Sequence, residues 1–190
     1  MKKELEKLAW EWVKTTPETV DIESDFYCKT RDVFEARNAK IPEMLIKKGM
    51  PEDIAYLIYS MIGELGNNSF DHNLGNWPNI NGIFFAVEYD GKNGMAIIAD
   101  RGLGVLQTLK KAAPELKNDE EAVELAFTKK ISSRVLENRG NGLKFVKNNV
   151  LDKNLLLKFY SGNAQVSINH NMQIEHTDNR IEGCLVALYF

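Results

Sequence analysis

Apolar positions recur along this chain in separate blocks, some at helical spacing and some in short strand-like runs. Over residues 2–14, Leu5, Leu8, Ala9, Trp12 and Val13 share one helix face, while Trp10 falls on the other side. That second aromatic predicts either a helix with two apolar faces, one for its own domain and one for self-association or a partner, or an intramolecular brace with a partly exposed Trp. In 19–28, Val20, Ile22 and Phe26 alternate and predict an extended segment. From about Arg31 to Lys48, Phe34, Ile41 and Leu45 follow a helical period that Pro42 must kink or split, and Gly49 ends it as a C-cap would. Pro51 then stands where a first helical position should be, followed by Glu52 and Asp53 to complement the helix dipole. This helix is predicted to run to about His72, with Asn73 and Gly75 ending it.

Strands follow at 80–89 and 94–99, joined by the turn-rich Asp90-Gly91-Lys92-Asn93-Gly94. Helical patches near 105–111 and 119–127, a helix over 141–149, and strands near 154–160, 163–169 and 182–190 complete the pattern. Strand pairs with helices between them predict an α+β fold, its helices layered on one face of a mixed, mostly antiparallel sheet. No repeat or low-complexity tract divides the chain.

Composition narrows the function. At 44% hydrophobic and 27% charged residues the chain has the makings of a packed core, which excludes disorder. A net charge of −3 gives no basic field, so direct nucleic-acid binding is not expected. The N-terminus opens on charges, and no apolar run has membrane-spanning length, so a cytoplasmic protein without a membrane role is expected. Cys28 and Cys184 are far apart and suit two free thiols in a reducing compartment; with His72, His170 and His176 they form no zinc pattern.

Three short polar-and-glycine stretches carry the candidate chemistry. On the long helix, Ile54, Ile58, Met61 and Leu65 form an apolar stripe, and the next positions on or beside it are Asn68 and His72, with Glu64 to one edge. A buried polar row of this kind needs partners, which a ligand would supply. Magnesium takes oxygen ligands and keeps several waters. One Asn68 carboxamide plus nucleotide phosphates would therefore form a cage, with Glu64 one turn earlier to orient or deprotonate an attacking hydroxyl or water. The second stretch is Asp100-Arg101-Gly102-Leu103-Gly104, after the apolar strand Met95–Ala99. A carboxylate there can accept from an exocyclic amine such as that of adenine, and the glycines permit close approach to a flat ring. The third is Arg139-Gly140-Asn141-Gly142-Leu143, opening a helix whose free amides and dipole favour an anion. Upstream, Lys129, Lys130, Arg134 and Arg139 form a basic segment suited to fold over phosphates as a lid, with 128–139 expected to order on nucleotide binding. Each stretch alone is a weak pattern.

In this order they resemble the GHKL ATPase superfamily of gyrase, the large heat-shock chaperone, histidine kinases and MutL. The resemblance implies the Bergerat ATP-binding fold, a two-layer α/β sandwich, with ATP and Mg2+ as ligands. It implies Glu64 as catalytic base, Asn68 as magnesium ligand, His72 as a phosphate-side neighbour and Asp100 as the adenine acceptor. Gly102, Gly104, Gly140 and Gly142 would shape the pocket, with Arg139 and Leu143 at the phosphate end. The family often ends on Gly-Thr before its last strand; here the pair is Gly183-Cys184, a departure.

Within the superfamily the chain most resembles the anti-sigma-factor serine kinases and their stand-alone relatives. Their arginine-bearing helix, Gly-x-Pro-Glu-Asp-like link and Glu-Leu-x-x-Asn helix correspond here to Arg31 and Arg37, Gly49–Asp53, and Glu64–His72. The similarity covers residues 30–190, leaving 1–29 as an N-terminal extension. No His precedes Glu64, so the phosphoacceptor helix of a sensor histidine kinase is not expected. The resemblance implies a Mg-ATP-dependent serine/threonine kinase acting on a small regulatory protein of the anti-sigma-antagonist kind. An ATP/ADP-gated interaction switch and a simple ATPase are the alternatives, and a homodimer is a further expectation.

Overall fold

The computed structural model describes residues 2–128 and 142–190. Five strands form one sheet: β1 (Tyr27–Cys28), β2 (Ile83–Tyr89), β3 (Gly94–Asp100), β4 (Leu156–Ile168) and β5 (Met172–Tyr189), in the order β1-β2-β3-β5-β4. Every pairing among them is antiparallel, so the expected mixed sheet is not found. Seven helices accompany them among the described residues: α1 (Lys2–Lys14), α2 (Arg31–Asn38), α3 (Ile41–Lys47), α4 (Glu52–Asn73), α5 (Gly104–Leu109), α6 (Asp119–Thr128) and α7 (Gly142–Asp152). None of these helices is long and apolar enough to cross a membrane.

Local chemistry explains most boundaries. Thr30 Oγ1 accepts from the Val33 amide at 3.4 Å and caps α2. Pro42 does split the predicted 31–48 helix, standing in the first turn of α3, where its missing N–H is not needed. Behind α3 the Gly49 amide donates to the Ile46 carbonyl and the Met50 amide to the Leu45 carbonyl, the paired bonds of a Schellman motif. The expected extended segment over 19–28 is mostly turns; a 3-10 turn at Pro17–Thr19 precedes it, and only Tyr27–Cys28 joins the sheet. The expected strands at 154–160 and 163–169 are one strand, interrupted only by register shifts between Ser161 and Ala164. β5 begins ten residues before the predicted 182–190 strand, because its outer half pairs with β4 beyond the rest of the sheet.

Helices cover both faces of the sheet, which corrects the one-face expectation. On the inner face, Phe34, Leu45, Ile58, Met61, Ile62 and Phe127 pack with Phe85, Ile98, Leu157 and Leu188. On the outer face, α1 sets Leu5, Ala9, Trp12 and Val13 on Phe84, Met95, Ile97, Ala99 and Leu185. Successive side chains of a strand point to opposite faces, so a central strand buried on both must be apolar throughout. β3 is so from Gly94 to Ala99, and each of its residues, the terminal Asp100 included, is buried. Trp10 does not project away from the domain. Its ring stands edge-on to Tyr160 at 4.8 Å, and the Lys14 ammonium lies 5.0 Å above it, bracing α1 on β4.

The alternation decides where the end of β3 sends its polar groups. Ala96, Ile98 and Asp100 face α4; Arg101 comes next and turns toward α1. Its guanidinium donates to the Trp12 carbonyl at 2.6 Å, the Thr15 carbonyl at 2.9 Å and Asn79 Oδ1 at 3.0 Å, and lies over the Trp12 ring. It therefore satisfies carbonyls at the end of α1 that the helix itself leaves unpaired.

Candidate functional site

The C-terminal half of α4 is the backbone of the site. Its buried row runs through Ile58, Ile62, Leu65, Ser69 and Asn73, so the inward face becomes polar as the sequence suggests, but through different residues. Asn68 is half-buried and His72 exposed, one step around the helix from the buried Ser69 and Asn73. Phe34 of α2 packs flat against Gly66, where a Cβ would overlap the ring. Arg31 of α2 pairs with Asp71, while Arg37 donates to Cys28 Sγ at 3.2 Å and the Phe85 carbonyl at 3.4 Å. Together these contacts hold α2 against α4 and the sheet.

Asp100 meets the polar end of α4 and is only 2% exposed. Ser69 Oγ donates to Oδ2 at 2.8 Å and the Gly102 amide to Oδ1 at 2.9 Å. The Cys184 amide donates as well, and Asn73 Nδ2 makes a longer contact to Oδ1 at 3.4 Å. Burial nevertheless outweighs these donors and pushes the Asp100 carboxyl from its ordinary 3.8 up to about 6.

The turn after Asp100 is held from both sides. On one side is Asn73: Nδ2 donates to the Ser69 carbonyl at 2.8 Å, Oδ1 accepts from the Leu103 amide at 2.9 Å, and Gly102 lies directly on the carboxamide. On the other is Ser161 of β4, which accepts from the Val105 amide at 2.9 Å and donates to the Gly183 carbonyl at 3.0 Å. Gly104 joins turn to helix at φ +74°, a left-handed conformation that favours glycine. Cys184 sits opposite Asp100 in the β3–β5 register, its thiol 3.6 Å from Ser161 Oγ, and burial pushes that thiol well above its usual range. Both cysteines are free thiols, as expected.

One to two turns earlier on α4, Glu64 and Asn68 face the start of α7. A Cβ at Gly142 would overlap the Glu64 carboxylate and lie 3.5 Å from Asn68 Nδ2, so the absence of a side chain there keeps the two helices close. Glu64 is exposed and Leu143 half-buried against the inner core. Thus Glu64, Asn68 and Gly142 come together, as do Asp100, Gly102 and Gly104, and α4 joins the two groups. Arg139, Gly140 and the basic segment 129–139 lie outside the described residues.

Sequence reasoning missed Ser69, Asn73 and Ser161. For the first two a signal existed: Leu65, Ser69 and Asn73 are spaced four apart and continue the apolar row. Ser161 had none, because a β-strand some sixty residues away supplies it. No protein-family model matches the chain, and no curated protein matches it either.

Proposed function

We propose that this chain binds Mg-ATP in the manner of the GHKL superfamily and transfers the terminal phosphoryl group to a serine or threonine of a small regulatory protein. One observation carries the reading: a single helix, α4, touches the Asp100–Gly104 turn with one pair of side chains and the start of α7 with another. That contact supports reading the three patterns, of which Gly142 and Leu143 represent the third among the described residues, as one site with a base end and a phosphate end.

The donor set suits the ligand. A carboxylate offers about four lone-pair sites; at Asp100 four donors meet them, and the weakest, Asn73 at 3.4 Å, is the one whose place an exocyclic amine would share. Among the described residues no three His, Cys, Asp or Glu side chains cluster as a metal site. Magnesium held by phosphates, waters and one carboxamide needs no such cluster, and Asn68 can offer that oxygen. Bound there, the ion neutralises developing phosphate charge. Asp100 fixes the base, the first amides of α7 face the phosphates, and the exposed Glu64 carboxylate takes the proton of the attacking hydroxyl.

Calorimetry with ATP and GTP, with and without magnesium, tests the binding. Asn68→Ala should weaken ATP binding chiefly when magnesium is present, and Asp100→Asn should weaken it under all conditions. Equal affinity of the native chain for ATP and GTP would remove the adenine role of Asp100. Radiolabelled ATP with the cognate partner should label the partner, and Glu64→Gln should abolish the label. ATP-dependent partner binding without any label would make the chain a nucleotide-gated interaction switch instead.

A further inference from the structure

The turn that bears Asp100 is tied to α4 by one side chain whose chemistry the proposed mechanism does not use. Asn73 is 3% exposed, and its carboxamide is engaged on both sides: the oxygen by the Leu103 amide, the nitrogen by the Ser69 carbonyl and, more weakly, Asp100 Oδ1. The donor at Leu103 requires the oxygen on that side, which fixes the orientation of the amide. Gly102 rests on the plane of the same carboxamide. Asn73 therefore holds three things at once: the carboxylate, the backbone just beyond it, and the helix that carries Glu64 and Asn68.

We infer that Asn73 is a positioning residue for base selection, keeping the Asp100 carboxylate and the Gly102–Leu103 backbone aligned as one edge against the adenine amine. The inference rests on the ATP-binding reading. The torsion that swings a carboxylate about its last bond is broad, so hydrogen bonds rather than rotamer preference must aim Asp100. Ser69 and Gly102 hold one oxygen each and the Cys184 amide adds a donor from β5, but Gly102 is itself part of the turn and aims the carboxylate only as far as the turn is fixed. Ser161 fixes the far side of that turn, through Val105, and Asn73 fixes the near side, at Gly102 and Leu103. Removing the carboxamide unpairs the Leu103 amide and takes away the surface beneath Gly102, leaving Asp100 in place but no longer registered to the turn.

The test compares ATP with ITP, whose base carries a carbonyl where adenine carries the amine, by calorimetry with magnesium on the native chain, Asn73→Ala and Asn73→Leu. The native chain should favour ATP by about ten- to a hundredfold, the range for a hydrogen bond to a charged group. In both variants that ratio should fall to about threefold or less while ITP affinity stays near the native value, because phosphate and magnesium contacts are untouched. Leu has the same number of side-chain heavy atoms and the same branching as Asn, so it removes the hydrogen bonds without opening a cavity. A purely structural role would weaken ATP and ITP together; that result, or an unchanged ratio, overturns the inference. Should both variants fail to fold, amide exchange in the native chain decides. The Leu103 amide should be protected further by ATP than by ITP, and equal protection refutes the proposal. A native chain that binds neither nucleotide sinks the ATP reading itself, whereas one that selects ATP with and without Asn73 sinks the role of Asn73 alone.

Discussion

Replacing Asp100 by Asn should leave the fold at least as stable at neutral pH while weakening the proposed nucleotide binding. Burial carries the Asp100 carboxyl from 3.8 to about 6, so its ionised form is held in the folded chain at a penalty of about 3 kcal/mol. Asn keeps the shape and most of the partners: its oxygen accepts from Gly102, and its amide meets Ser69, whose hydroxyl can turn to accept. The pH dependence follows from which state binds the proton. Between 3.8 and 6 the folded state holds it and the unfolded state does not, so stability falls as pH rises through that window and levels off above it. Lowering the pH from 7.5 to 5 should therefore raise the stability of the native chain relative to Asp100→Asn by about 1–2 kcal/mol. Carboxylates common to both proteins, such as Asp71 in its pair with Arg31, cancel in that difference. Urea unfolding at the two pH values measures it. A difference that stays flat, or moves the other way, would refute the argument that burial dominates at Asp100.

Three further substitutions test other joints. Arg101→Ala leaves the Trp12 and Thr15 carbonyls without their side-chain donor, Asn79 keeping the Ile80 amide, and should destabilise the chain by about 2–4 kcal/mol. A red shift of Trp10 and Trp12 emission before global unfolding would show the loss centred on α1. Gly66→Ala gains helix propensity of about 1 kcal/mol, yet the new methyl enters the Phe34 ring, so thermal melts should show a net loss of about 1–3 kcal/mol; Phe34→Leu in the same chain should recover part of it. Glu64→Gln should keep ATP affinity within about threefold while turnover falls by roughly a hundredfold, as removal of a general base does; steady-state phosphate release alongside calorimetry separates the two.

What could be read from the residues alone follows from where each signal is local. The start of α4 is legible because Pro51, Glu52 and Asp53 mark it in sequence, and the split at Pro42 because one ring forces it. Which side of α4 turns polar inward is less legible. Steps of three from Leu65 lead to Asn68 and steps of four to Ser69, and only packing against β3 selects the latter. The outer half of β5 was hidden because it leaves the main sheet: Met172 and Ile174 alternate with exposed Gln173 and Glu175, but His176, Asp178, Asn179 and Arg180 then face solvent and break the pattern after four residues. The second helical layer did leave a trace. Met95–Ala99 is apolar without interruption, and such a run needs cover on both faces.

That same strand gives the N-terminal extension a physical connection to the candidate site. Asp100 and Arg101 are adjacent in sequence but serve opposite faces, one gripping α4 and the other the end of α1. Peptide planarity leaves only two soft torsions per residue between them, so a rotation of the turn that re-aims the carboxylate also moves the base of the guanidinium. The outer layer and the Asp100 carboxylate thus share a pivot, which ties the end of α1 mechanically to the candidate site although α1 carries none of the three motifs. Arg101→Lys measures how far that coupling matters. A lysine places one ammonium where the guanidinium served two carbonyls and Asn79, so α1 should loosen without loss of charge. If the pivot is shared, ATP affinity should fall by about three- to tenfold, in the range of ordinary couplings between sites, with Asp100 itself unchanged. Native ATP affinity in a chain whose α1 amides exchange freely would show that the two faces of the sheet act independently.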